Sequence, residues 1–439
     1  MKLCKPVLVC VIGVLLAACV PAPQAVPSTP QAESTQTATP TAEPTFSVEK
    51  VQVRQSPVEL VSDAVATGDG GNLWGGHQTR IVRTEAGVFT AYTVPGSDEL
   101  NREWRLVRRD PTLGWQVLAQ GESGREPVNL LAAPDGTLYI VGWPAGVGTL
   151  WSGTPQGNTL TLKSEPIPNL PNGNWPYSSA GIAADGTLCI LASQGGEEAG
   201  GEFYGSCYMP ATGQWVSKVT ALDYRYCYTY VFPNSNGGLA LVSTRDVRWT
   251  ALGVQTPAGA FDYAFNAIAS WQTDNLLTAP LALTSLEEEP PTAAYPTPFL
   301  NAQMDAYEDA DGNLHILYWR EGEHTAGVRQ SRHRILTPDG QVLYDEALPD
   351  DSGYYVRIFQ DEHARFYLLG SSGRLYFLDA NGEDVLRSIS LDLGGYEVEY
   401  SGYGLSVPRT GTPRSNRMDV VFTSGNESQW LYFQIEFEE

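Results

Sequence analysis

The chain has 439 residues, with 50 acidic side chains against 27 basic ones and a formal charge of −23. A body this acidic repels nucleic acid and anionic lipid headgroups, and no basic patch with interleaved aromatics offsets it. No nucleotide-binding fingerprint and no GxSxG elbow is present, and no cofactor is expected.

In chain order, Lys2 and Lys5 precede an apolar run over residues 7–18 that is too short to span a bilayer. Residues 1–18 therefore read as a signal peptide. The run ends in Leu16-Ala17-Ala18-Cys19, which resembles the lipobox of bacterial lipoproteins. The resemblance implies lipidation at Cys19, with membrane lipid as partner and an extracytoplasmic body. Acyl chains anchor through about 0.8 kcal/mol per buried methylene. Residues 19–46 continue as a Pro/Thr-rich linker that cannot bury a core. Residues 47–439 form the folded domain.

That domain repeats itself. "PDGTLYIV" at 134 returns as "ADGTLCIL" at 184, "SNGGLALV" at 235, "ADGNLHIL" at 310 and "EHARFYLL" at 362. "EAGVFTAY" at 85 precedes the series, and a degenerate "NRMDVVF" at 416 ends it. The Asp slot holds Ala86, Asp135, Asp185, Asn236, Asp311, His363 and Arg417, at intervals of 49 to 54 residues except for one of 75. The long interval carries the insertion "LEEEPPTAAYPTP", residues 286–298, and an extended stretch between Arg245 and Ala264. An Asp-Gly dipeptide between alternating strands predicts two-residue type I′ hairpins.

Units of about 50 residues with four strands each predict an all-β fold, a β-propeller of seven four-stranded blades. A six- or eight-bladed ring or a pair of β-sandwiches is the alternative. The last unit is one strand short, and "FSVEKVQV", residues 46–53, is spare. It is expected to complete the last blade from outside and remove an open edge. The units resemble sialidase-like repeat propellers in length and in their "DG-x-L-x-I" turns, but the Ser-x-Asp-x-Gly-x-Thr-Trp box is absent. Residues 75–92 resemble a repeat of ulvan-lyase-type propellers, which implies chemistry by His, Tyr and Arg.

Cys189 and Cys207 flank the tip "QGGEEAGGE" almost symmetrically, and the exported compartment permits a disulfide between them. Cys227 is left over.

Side chains alternate along a strand, so positions six and eight before the Asp slot share a face. Six before stand Arg80, Asn129, Ser179, Tyr230, Asp305 and Arg357. Eight before come Gln78, Pro127, Tyr177, Tyr228, Gln303 and Tyr355. A ligand-binding propeller mouth is expected from His77, Arg80, Tyr177, Tyr228, Gln303, Asp305, Tyr355 and Arg357. Arg80 and Arg357 would grip an anionic sugar; the competing arrangement pairs Arg357 with Asp305. His315 and His363 read as structural, His324 and His333 as solvated. No metal site is expected: Asp309-x-Asp311-x-Asn313 begins like a calcium loop but lacks the closing Glu.

The expected function is a non-catalytic module that binds a carbohydrate or a protein. A glycan-cleaving enzyme using His77, Tyr177, Arg80 and Arg357 is the second possibility, and an assembly scaffold the third. A cleft uniting His77, a Tyr hydroxyl and an Arg would suit the enzyme; a plugged tunnel would suit the scaffold.

Overall fold

The computed structural model describes residues 50–438, apart from positions 69, 197, 199, 236, 277, 293, 296 and 400–403. Cys19 and its linker lie outside the described residues. Seven antiparallel sheets follow one another. Blade 1 spans residues 81–124, blade 2 residues 129–166, blade 3 residues 179–222 and blade 4 residues 226–288. Blade 5 spans residues 301–347 and blade 6 residues 356–390. In each of these six, the four strands pair in sequence order, first strand innermost.

Blade 7 is assembled from both ends of the domain. Its middle lanes are Arg417–Thr423 and Trp430–Glu438. Gln52–Gln55 and Glu59–Ser62 lie end to end along the outer edge of Trp430–Glu438. The break falls at Pro57, which has no N–H to give a ladder. Ser56 bridges it: its N–H donates to Gln434 O, and its hydroxyl accepts from Gln434 N–H. The inner lane is marked by two isolated bridges among the described residues, Val398 to Ser424 and Ser406 to Val421. The closing strand was expected at residues 46–53; within the described chain it runs to Ser62.

The ring closes because no blade can bury both of its faces alone. Seven apolar clusters occupy the seven blade–blade interfaces. Phe89, Leu106, Leu130 and Ile140 fill the one between blades 1 and 2. Ile81, Tyr92, Trp430 and Tyr432 fill the one between blades 1 and 7. At that last seam Arg83 also forms a bidentate pair with Asp419 at 2.6 and 2.7 Å. Asp419 accepts from Tyr432 Oη as well, at 2.8 Å.

The repeat turn is not the two-residue hairpin expected. Ala133 N–H donates to Thr137 O, and Gly136 N–H donates to Ala133 O. Only Gly136, at φ 83°, is left-handed. This is a type I turn followed by a glycine bulge. The Asp carboxylate fixes the second half, since Asp135 accepts from Thr137 N–H at 2.9 Å across the glycine. Asp185 repeats the contact with Thr187 N–H at 2.9 Å. The aspartates of 309–313 serve their own turn too: Asp309 accepts from the N–H groups of Asp311 and Asn313.

Cys189 and Cys207 stand directly opposite each other on adjacent strands of blade 3 and form a disulfide. His333, expected in solvent, is fully buried in the strand Gln330–Leu336. Its Nε2 lies 3.0 Å from His315 Nδ1, and His315 Nε2 lies 3.3 Å from Asp309. The second half of that strand, from His333 to Leu336, is buried throughout, and position along the strand decides its fate.

Candidate functional site

The stretch before the first inner strand crosses the ring. Asn72–Gly75 forms a 3-10 turn, and the chain then runs through Gly76, His77 and Gln78. Gly76 O accepts from Tyr230 Oη of blade 4 at 3.3 Å. Gln78 Nε2 donates to Pro127 O at 3.0 Å and to Ser178 O at 3.3 Å. His77 Nε2 also meets Ser178 O, at 3.1 Å. Blade 1 therefore reaches across to blades 2, 3 and 4 and plugs the tunnel mouth. Gly75 makes the close pass possible: a Cβ there would stand 1.9 Å from Arg80 Nη2.

A cavity of about 1140 Å³ sits on this plug. Trp74 of the plug, Tyr177 before blade 3 and Tyr228 at the start of blade 4 line it. Tyr177 and Tyr228 meet edge to face with centroids 5.4 Å apart, and Trp74 lies 6.2 Å from each. The series continues through Phe265, 6.0 Å from Tyr228, to Phe299, stacked on Phe265 at 5.3 Å. Trp175, Phe261 and Tyr263 complete the wall. Trp175 and Phe261 are exposed, at 49% and 56%.

Two tyrosines hold strained backbones here. Tyr177 has φ 40° and Tyr228 φ 59°. A side chain in the left-handed region costs of order 1–2 kcal/mol, and such residues gather at binding sites. The two occupy equivalent positions in neighbouring blades, eight before the Asp slot. At Tyr228 the ladder slips between Cys227 and Tyr230. This bulge turns the ring out of the sheet and toward the cavity.

Charge on the wall is paired. Arg225 donates to the Asp246 carboxylate at 2.9 Å and lies over the rings of Tyr263 and Tyr177, 5.0 and 5.8 Å from their centroids. Arg125 lies against Trp175 and Trp74, with centroids at 3.3 and 4.4 Å. Cation–π contacts of this kind fix a ring's position. Behind them, burial pushes the Cys227 thiol well above its ordinary pKa, so it stays protonated.

The eight expected mouth residues divide into three groups. Tyr177 and Tyr228 line the large cavity. His77, Gln303 and Tyr355 line a smaller one of about 30 Å³ that Tyr228 also touches. Arg80, Asp305 and Arg357 lie in the tunnel and border neither cavity. Arg357 donates to Leu405 O at 2.7 Å, Met304 O at 2.6 Å and Tyr230 Oη at 3.1 Å, and stands 3.6 Å from Asp305. His77 is neutral: burial, with Arg80 and Arg357 as nearby cations, pushes its pKa down to about 3. Burial likewise raises the Tyr177 phenol. Among the described residues, no group of three or more His, Cys, Asp or Glu side chains converges to hold a metal.

The sequence pattern does not point to Trp74, Trp175, Phe261, Tyr263, Phe265 and Phe299. Phe261 and Tyr263 come from the extended stretch before residue 264, and Phe299 follows the insertion at 286–298. The one signal was the long interval itself, whose extra chain builds a wall of the cavity.

No family model and no curated protein matches the chain. Solved structures match it in shape. The WD40 β-propeller domain of Doa1 covers 87% of this chain and 97% of its own, at 12% identity and TM-score 0.44. BBS1N, solved in complex with ARL6DN, covers 88% and 96%, at 10% identity and TM-score 0.49. Catalytically inactive virginiamycin B lyase from Staphylococcus aureus, with quinupristin, covers 79% and 99%, at 10% identity and TM-score 0.43. Likeness at this level carries no conclusion about function.

Proposed function

We propose that this chain is an extracytoplasmic binding module, tethered by acylated Cys19, that takes a glycan on the plugged face of its propeller. The cavity of about 1140 Å³ walled by eight aromatic rings carries this reading. Sugar C–H faces stack on such rings, and the polar atoms of Asn174, Ser193 and Gln194 border the same space to meet hydroxyls. Because Arg225 and Asp246 neutralise each other, the wall makes no demand for a charged sugar.

The residues weighed for catalysis do not meet in one cleft. His77 lies off the large cavity and stays neutral, while Arg80 and Arg357 are in the tunnel, so the non-catalytic reading is the better supported. The exposed rings of Trp175 and Phe261 favour a protein ligand as second reading, since aromatic anchors at a rim also suit protein interfaces.

A glycan array on the purified protein, followed by titration of any hit, tests the proposal. Trp175→Ala and Phe261→Ala should each weaken binding roughly tenfold. Both side chains are exposed, so Tm should hold. Binding unaffected by either change would exclude this cavity as the seat. For the tether, Cys19→Ser should move the protein from the membrane fraction to the soluble one; retention with unchanged acyl labelling would remove Cys19 as the anchor.

A further inference from the structure

Below the plug, the tunnel carries a charge that the protein does not balance. Arg80 is 1% exposed, yet its Nε, Nη1 and Nη2 have no hydrogen-bond partner among the described residues. Its guanidinium lies 5.5 Å from the Trp430 ring centroid, and Trp430 Nε1 is committed to Thr90. A guanidinium does not give up its proton near neutrality. Burial and the like charge of Arg357 push its pKa down, but only to about 9. An unpaired buried cation is costly enough that proteins pair or solvate it.

Among the described residues, the tunnel carboxylate Asp305 is not free to do so. Asp305, fully buried, already faces Arg357 at 3.6 Å and pairs with Arg409. It also accepts from the N–H groups of Ala306 and Ile358, at 2.8 and 2.9 Å. Asp305 is thus committed to Arg357 and Arg409. The blades flanking Arg80 present unmet polar groups instead. Asn129 of blade 2 is fully buried with both amide atoms unpartnered, and Ser406 of blade 7 is buried with its hydroxyl unpartnered. Ser179 of blade 3 is buried in the same state. Guanidinium, amide and hydroxyl donors around one axis are the donor set of an anion site.

We propose that the tunnel beneath the plug is a binding site for a small inorganic anion of the chloride class, held by Arg80 with Asn129, Ser179 and Ser406. The His77–Gln78 plug lies between this site and the open cavity. The ligand is therefore a small ion and not the carboxylate of a sugar seated above.

Bromide replaces chloride and scatters anomalously. Crystals of the full-length protein grown or soaked in bromide should show an anomalous peak within hydrogen-bonding reach of the Arg80 guanidinium. In solution, exchanging gluconate for chloride at constant ionic strength should raise Tm by a few degrees, because a ligand that binds only the folded state stabilises it. Arg80→Gln should abolish that dependence. If the variant does not fold, the wild-type crystal decides alone. Water density without an anomalous peak beside Arg80, or a Tm indifferent to chloride in the wild type, would overturn the proposal.

Discussion

Acidification from pH 7 to pH 5 should weaken the propeller through His77, and the structure sets the size of the effect. The ring is buried against Ser178 O at 3.1 Å, and its pKa stands at about 3 instead of 6.5. As pH falls, the unfolded chain takes up a proton near 6.5 while the folded chain does not until about 3. Between those values the unfolded state holds more protons, so stability is complete above the upper value and declines below it. Over the two pH units, this residue alone costs about 2 kcal/mol. For a domain of about 390 residues that is roughly 2–3 °C in Tm. Calorimetry or urea unfolding at pH 7 and 5 measures it. The comparison is His77→Gln, whose Nε2 can keep the bond to Ser178 O without titrating. On acidification the variant should lose about 2 kcal/mol less than the wild type. Burial also holds His333 far below its ordinary pKa, but that contribution is common to both proteins and cancels. Equal losses in the two proteins would refute the reasoning and mean that the plug accepts a proton without resisting it.

Other outcomes follow from single contacts. Burial and the neighbouring Asp309 push the Glu308 carboxyl up to about 7. The folded state therefore resists ionising it above the ordinary carboxylate range, and Glu308→Gln should stabilise the protein at pH 8, with the gain shrinking toward pH 5 in the same unfolding assay. Replacing both Cys189 and Cys207 by Ala should cost about 2–3 kcal/mol in urea unfolding, by opening a closed loop of 18 residues' separation. Deleting residues 50–62 should bare the outer edge of Trp430–Glu438, and light scattering should show aggregation with a large fall in Tm.

The blade count and the closing strand were legible because each rests on a local signal repeated many times. Gly136 and its counterparts sit where a left-handed residue is needed, and alternation follows each turn. The turn type was not, because Asp-Gly suits both the two-residue turn and the type I turn with a glycine bulge, in which only Gly136 is left-handed. The plug was invisible for a different reason. Residues 74–78 carry no periodicity, and their partners Pro127, Ser178 and Tyr230 lie in three other blades. Position alone gave Arg80 and Arg357 equal standing. What separates them is the backbone carbonyls of Leu405 and Met304, which accept from one and not from the other, and no count of side chains reveals a carbonyl's direction. The cavity was half legible: Tyr177 and Tyr228 fall in the repeat's register, but the rings opposite them come from loops that only the long unit possesses.

The outer lane of blade 7 also sets a clock for biosynthesis. Arg54 meets its partner Glu436 across a separation of 382 residues. At about 5–20 residues per second, a ribosome needs roughly 20–75 s to make that span. Throughout this interval Gln52–Gln55 and Glu59–Ser62 have been made and have nothing to pair with, and the plug beside them waits for blades 2 to 4. The first part of the domain to be synthesised is thus the last to acquire its neighbours, and the ring can close only after the final strand has been released.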